Sequence, residues 1–82
     1  MNIEVRYFAG IAQEIGTTAE QVEVPGDVNI DGLVDILSER HGAHATRQFG
    51  VCAFLVDGRV VARDAQLPLN AVVDVLPPFA GG

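Results

Sequence analysis

The fold this sequence predicts is an α+β roll, with one long amphipathic helix packed across one mixed sheet of about five strands. Three observations carry that prediction. Apolar and polar residues alternate with period two at residues 2–7 and 19–24, as half-buried strands do. Ile30, Leu33, Val34 and Leu37 recur at helical spacing in the one long periodic stretch. The chain has 82 residues, enough for one domain around a single modest core.

Each element has its own local signal. Residues 2–7 place Ile3, Val5 and Tyr7 on one side and Asn2, Glu4 and Arg6 on the other. Phe8, Ile11, Ala12 and Ile15 then follow at i, i+3, i+4 and i+7, which marks a short helix. Gly16 stands where a left-handed C-cap belongs. In residues 19–24, Val22 and Val24 face inward, and Pro25-Gly26 ends the strand. Asn29 is placed to cap the helix over 30–41, with Asp31 in its first turn, Arg40 and His41 near its end and Gly42 as its stop. Residues 43–50 lack a clear period and read as a loop. Residues 51–56 are apolar throughout and read as a central strand covered on both faces. Asp57-Gly58 predicts a type I′ hairpin turn into a strand at 59–63. Leu67-Pro68-Leu69 reads as an irregular link that contributes apolar side chains. Residues 72–76 form the last strand, which Pro77-Pro78 stops.

Composition removes several functions. Five arginines, no lysine and eleven acids give a net charge of −6, so the basic footprint of a nucleic-acid binder is absent. No apolar run approaches the roughly 20 residues of a membrane span, and the alternating start has no basic n-region, so a cytoplasmic protein is expected. With one cysteine there is no internal disulfide and no four-cysteine cluster. His41 and His44 have no acid or thiol partners at metal-ligand spacing and read as helix-end histidines. Cys52, in the most apolar segment, reads as a small hydrophobe before it reads as a nucleophile. No phosphate-binding glycine loop is present. The chain therefore carries no recognisable catalytic machinery of its own.

What remains is the end of the chain, Pro77-Pro78-Phe79-Ala80-Gly81-Gly82, read as an extended tail on a domain of residues 1–76. Two prolines remove two N–H donors and favour a stiff polyproline course away from the sheet. Six extended residues reach about 20 Å. Gly81 and Gly82 carry no side chains, so a narrow channel could close around their backbone. The Gly82 carboxylate is then the reactive group on offer. A carboxylate is a poor electrophile, and a mixed anhydride with AMP gives its carbon a leaving group. Glycine at about 7% of residues puts two at a chain end by chance in about 0.5% of sequences, so the pair gains force from its place behind Pro-Pro.

These features resemble the MoaD/ThiS family of ubiquitin-like sulfur carriers, most of all the small subunit of molybdopterin synthase. The resemblance runs through Ile3-Glu4-Val5-Arg6-Tyr7-Phe8-Ala9, Ser38-Glu39-Arg40-His41-Gly42 and Val56-Asp57-Gly58. Its most specific part is Asp74-Val75-Leu76-Pro77-Pro78-Phe79-Ala80-Gly81-Gly82. It implies a ubiquitin-like β-grasp fold and a non-catalytic, sulfur-donating cosubstrate with no bound cofactor. A ubiquitin-activating-type (MoeB/ThiF-like) adenylyltransferase would use ATP to form a glycyl-adenylate at Gly82, which a sulfur donor converts to a thiocarboxylate (1-thioglycine). The loaded tail would enter the large, catalytic subunit, in a heterotetramer, and donate sulfur for molybdenum cofactor synthesis. A carrier for thiazole or cysteine synthesis, or a covalent protein modifier, is the alternative. Two positions depart from the pattern. Phe79 stands where Val is common, and Asn70-Ala71 where a charged, glycine-containing turn is common. The pleat also suggests a docking surface. If the helix covers Val51, Ala53 and Leu55, then Cys52, Phe54 and Val56 face outward, and Leu76 joins them beside Pro77, Pro78, Phe79 and Ala80.

Overall fold

The computed structural model describes residues 1–78, so the expected tail positions Phe79, Ala80, Gly81 and Gly82 lie outside the described residues. The element order is β1 (Asn2–Tyr7), α1 (Ala9–Ile15), β2 (Ala19–Glu23), α2 (Ile30–His41), α3 (Ala43–Phe49), β3 (Ala53–Val56), β4 (Arg59–Val60) and β5 (Val72–Leu76). The strands form one mixed sheet in the order β2-β1-β5-β3-β4, with β1 and β5 parallel and the other neighbours antiparallel. This is the ubiquitin-like β-grasp arrangement, with α2 laid across one face.

The caps formed as local chemistry dictates. Asn29 Oδ1 accepts from Gly32 N at 2.8 Å, and the N–H groups of Ile30 and Asp31 reach the carbonyls of Ala65 and Arg63. The N-terminal donors of α2 are thus satisfied by the segment that links β4 to β5. Gly16 ends α1 at φ +91°, in the left-handed region that favours glycine. Asp57 and Gly58 have φ of +49° and +85°, both positive as a type I′ turn requires.

The core lies between the inner sheet face and the helices. Ile3, Val5 and Tyr7 from β1, Val22 from β2 and Val73 and Val75 from β5 meet Ile30, Leu33 and Leu37 of α2. Phe54 and Val56 join them. The suggested outward set on β3 is therefore reversed, because α2 covers the side bearing Phe54, which is only 2% exposed, and leaves Ala53 and Leu55 on the outer face. Both parity sets of 51–56 are apolar, so periodicity alone did not distinguish them.

Other expectations also change. Residues 43–50 are not a loop, since Ala43–Phe49 form α3, which buries Ala45 and Phe49. The strand expected at 51–56 begins only at Ala53 and is next to the edge; β5 holds the centre of the sheet. β4 has two residues, because Ala62 onward turns back to meet the start of α2. Leu67 enters the core, whereas Leu69 is 74% exposed.

Candidate functional site

The last strand delivers the chain end to a defined place. β5 lies between two neighbours, with Arg6↔Asp74 and Tyr7↔Val75 on the β1 side and Phe54↔Val75 and Ala53↔Leu76 on the β3 side. Ladder pairing stops at Leu76, and Pro77 and Pro78 cannot donate to extend it. The chain therefore leaves the middle of the sheet rather than an edge.

At that exit the surface is concave and apolar. A groove of about 790 Å³ is walled by Phe8, Ala9 and Gly10 at the start of α1, Gln48 of α3, Val51 and Ala53 at the start of β3, and Leu76, Pro77 and Pro78. Phe8 is 39% exposed and Val51 63%, so large apolar side chains face solvent beside the chain end. Three segments far apart in sequence converge here, which no single stretch announces. The i, i+3, i+4, i+7 spacing puts Phe8 in the helical stripe. Its other signal was parity, for it continues the outward side of β1 after Asn2, Glu4 and Arg6. Ala9 takes a positive φ of 51°, a strained backbone for a residue with a Cβ. Such strain costs on the order of 1 kcal/mol or more.

Of the predicted site residues, Leu76, Pro77 and Pro78 line this groove, and Phe54 lies beneath the sheet in the core. Phe79, Ala80, Gly81 and Gly82 fall outside the described residues. Next to the groove, the Cys52 thiol donates to the Gln48 carbonyl at 3.2 Å. Burial pushes its pKa above the usual thiol range, against a weaker opposing pull from the Arg63 charge, so it rests as the protonated thiol.

Two charged clusters flank the site, and neither resembles an acid–base pair poised on a substrate. Arg6 grips Asp74 through Nε at 2.6 Å and Nη2 at 3.1 Å on the outer face. At the β1–β2 end, Glu20 accepts from the Tyr7 hydroxyl at 2.5 Å and from Arg40 Nη1 at 2.9 Å, and pairs with His41 Nε2 at 2.6 Å. Burial alone pushes the Glu20 carboxyl up; the hydrogen bonds from Tyr7, His41 and Arg40 together outweigh it and hold its pKa below the usual range. Burial, and then the Glu20 hydrogen bond, raise the Tyr7 phenol well above its ordinary value. His44 pairs with Glu14 at 2.7 Å, tying α3 to α1. Among the described residues no group of three metal-ligating side chains occurs, and no helix is long and apolar enough to cross a membrane.

The described residues form a ubiquitin-like β-grasp domain whose central strand runs out beside an apolar groove. The chain belongs to the ThiS family, a family of ubiquitin-like sulfur carriers, whose model matches residues 5–82. Among solved structures it is similar to SAMP1 from Haloferax volcanii, at 25% identity and a TM-score of 0.85, with 100% of each chain covered. It is also similar to a putative molybdopterin converting factor, subunit 1, from Pyrococcus furiosus, at 26% identity and a TM-score of 0.81, covering 96% of this chain and 99% of that one. A third likeness is to the complex of subunits 1 and 2 of the molybdopterin-converting factor from Helicobacter pylori, at 26% identity and a TM-score of 0.72, with 100% of each chain covered. Among curated proteins no relative matches the chain.

Proposed function

We propose that this chain is the sulfur-carrying small subunit of a molybdopterin synthase, working in the cytoplasm where ATP and reduced sulfur meet. Its Gly82 carboxylate attacks the α-phosphate of ATP on an activating partner, releasing pyrophosphate and leaving a glycyl-adenylate. Sulfide-level sulfur delivered by a donor then attacks the carbonyl carbon as hydrosulfide, the C–O bond to phosphate breaks, AMP departs, the sulfur's proton passes to solvent, and a thiocarboxylate remains. The large subunit receives the tail and supplies the catalytic groups. This chain contributes a reactive end and a surface that holds the partner.

The observation that carries this reading is the exit of Leu76-Pro77-Pro78 from the centre of the sheet into an apolar groove, four residues before the end of the Gly81-Gly82 sequence. An exposed apolar surface of this kind suits a partner interface. The similarity to converting-factor subunits supports the molybdopterin reading.

Intact-mass measurement after incubation with an activating enzyme, ATP and a sulfur source tests the reading. A mass gain equal to exchange of one oxygen for sulfur is expected, followed by dithiolene formation when the pterin-processing large subunit is added. A chain that is never loaded, or that loads but forms no complex with that subunit, sinks it. A second reading, covalent attachment of Gly82 to other proteins, draws on the likeness to SAMP1, a small archaeal modifier protein. Conjugates that survive reducing, denaturing gels would favour it.

A further inference from the structure

Resting on the reading that Gly82 becomes activated, we infer that this chain is chemically inert toward its own activated terminus. Nucleophiles able to intercept the acyl group are either missing from the sequence or engaged elsewhere, so the group is kept for a nucleophile that a partner supplies.

The competing reaction is simple. An amine attacks the glycyl carbonyl carbon, a C–N bond forms, the bond to the leaving group breaks, and the amine proton passes to solvent. In most domains lysine would be the commonest internal amine, for it is among the most frequent residues. Here all five basic side chains are arginine. A guanidinium stays protonated at neutral pH and has no free lone pair to attack with.

One amine remains, at Met1, and it is tied down and distant. Its nitrogen donates to the Val24 carbonyl at 2.7 Å. The parallel register Tyr7↔Val75 sets Phe8 level with Leu76, which puts Met1 seven positions back along β1. At roughly 3.3 Å per residue that is about 23 Å. Six residues beyond Leu76 span about 20 Å even when fully extended, so the end falls short of this amine within one molecule.

The thiol is the nearer threat, because Cys52 precedes Ala53, the partner of Leu76 in the ladder. Its hydrogen is committed to the Gln48 carbonyl, and it is half-buried. Burial keeps it in the thiol form, which is not the nucleophile. Of the imidazoles, His41 has Nε2 on Glu20 and His44 has Nδ1 on Glu14; an acyl-imidazole formed at either ring would pass its acyl group to water and end as hydrolysis rather than as a stable adduct. The absence of lysine, a reach that falls short of Met1 and a half-buried Cys52 thiol act in the same direction, protecting a high-energy acyl group while it travels between enzymes.

The test needs no activating enzyme. The chain is prepared as a Gly82 thioester by cleavage of an intein fusion with a small thiol. It is then held near pH 9, where α-amines and a minor share of lysines are free bases. Intact mass distinguishes hydrolysis from loss of the thiol without water, which marks cyclisation, and from covalent dimer. At high dilution the wild-type chain should give hydrolysis and no cyclic product, while free lysine added in excess is acylated. Arg47→Lys, at an exposed position next to the groove residue Gln48, should give cyclic product on the order of tenfold above any from wild type. Cyclic product from wild type at the rate of the lysine variant overturns the inference. So does a lysine variant that stays inert while free lysine reacts. Failure of enzymatic loading at Gly82 would instead count against the proposed function, and the thioester result would be unaffected.

Discussion

Arg6 and Asp74 are 68 positions apart, yet face each other directly across the parallel β1–β5 pair, joined by two hydrogen bonds on the outer face of the sheet. Asp74 is the one charged residue buried among the described residues, and the pair sits two residues before the strand ends. Its guanidinium is held protonated even more firmly than usual, by the Asp74 hydrogen bond first and the opposite charge second.

Arg6→Ala is therefore expected to lower the urea midpoint of unfolding, since it leaves a largely buried carboxylate without its cation. Arg6→Leu combined with Asp74→Leu should recover much of the loss, because an apolar pair at this place has no unpaired charge. A midpoint that does not move in Arg6→Ala would show the pair to be incidental.

Glu20 joins three elements, bonding Tyr7 of β1 and His41 and Arg40 of α2 from its own place on β2. Glu20→Ala strands the Tyr7 hydroxyl and should cost about 2 kcal/mol at neutral pH. The pH dependence follows from a folded pKa lowered below the ordinary 4.5. The stabilisation is complete above that ordinary value and disappears as the pH falls through the lower folded one. Unfolding free energies measured from pH 7 down to pH 3 should drop for wild type, with a shallower fall in Glu20→Gln.

Tyr7 predicts the opposite limb. Its folded pKa is raised, so its contribution is present below the ordinary phenol value of 10.0 and is lost as the pH rises beyond it. Tyr7→Phe should be less sensitive than wild type to alkali between about pH 9 and pH 11 in a thermal melt.

Phe54 and Phe8 should behave as opposites. Phe54 is buried under α2, and Phe54→Ala should cost about 3–5 kcal/mol by opening a cavity. Phe8→Ala and Val51→Asp alter the groove wall and should leave the melting temperature nearly unchanged. On the proposed function, both should weaken binding to the large subunit by about tenfold or more in calorimetry. Equal binding by the groove variants would remove the groove from the interface.

Gly82→Ala, or a chain extended beyond Gly82, should fold as wild type and yet fail in sulfur loading or transfer. Circular dichroism and intact mass report the two halves of that statement. Full activity in an extended, unprocessed chain would refute the carboxylate chemistry.

Much of the architecture is written in short-range signals, because caps and turns are decided by the few residues that form them. Asn29 caps α2, Gly16 takes a left-handed φ, Asp57-Gly58 turns the hairpin, and the prolines at 77 and 78 close the last ladder. Together with the alternation in β1 and β2 and the stripe on α2, these residues specify a roll. Packing across the chain settled the rest. α3 has weak helical periodicity and exists because Ala45 and Phe49 find a core to enter. Whether Phe54 or Leu55 faced α2 could not come from a segment apolar on both sides, since burial is a choice between faces that only a neighbouring element makes. The groove has the same origin: Phe8, Val51 and Pro78 acquire a shared surface only once β1, β3 and β5 lie side by side, and chain distance says nothing about that proximity.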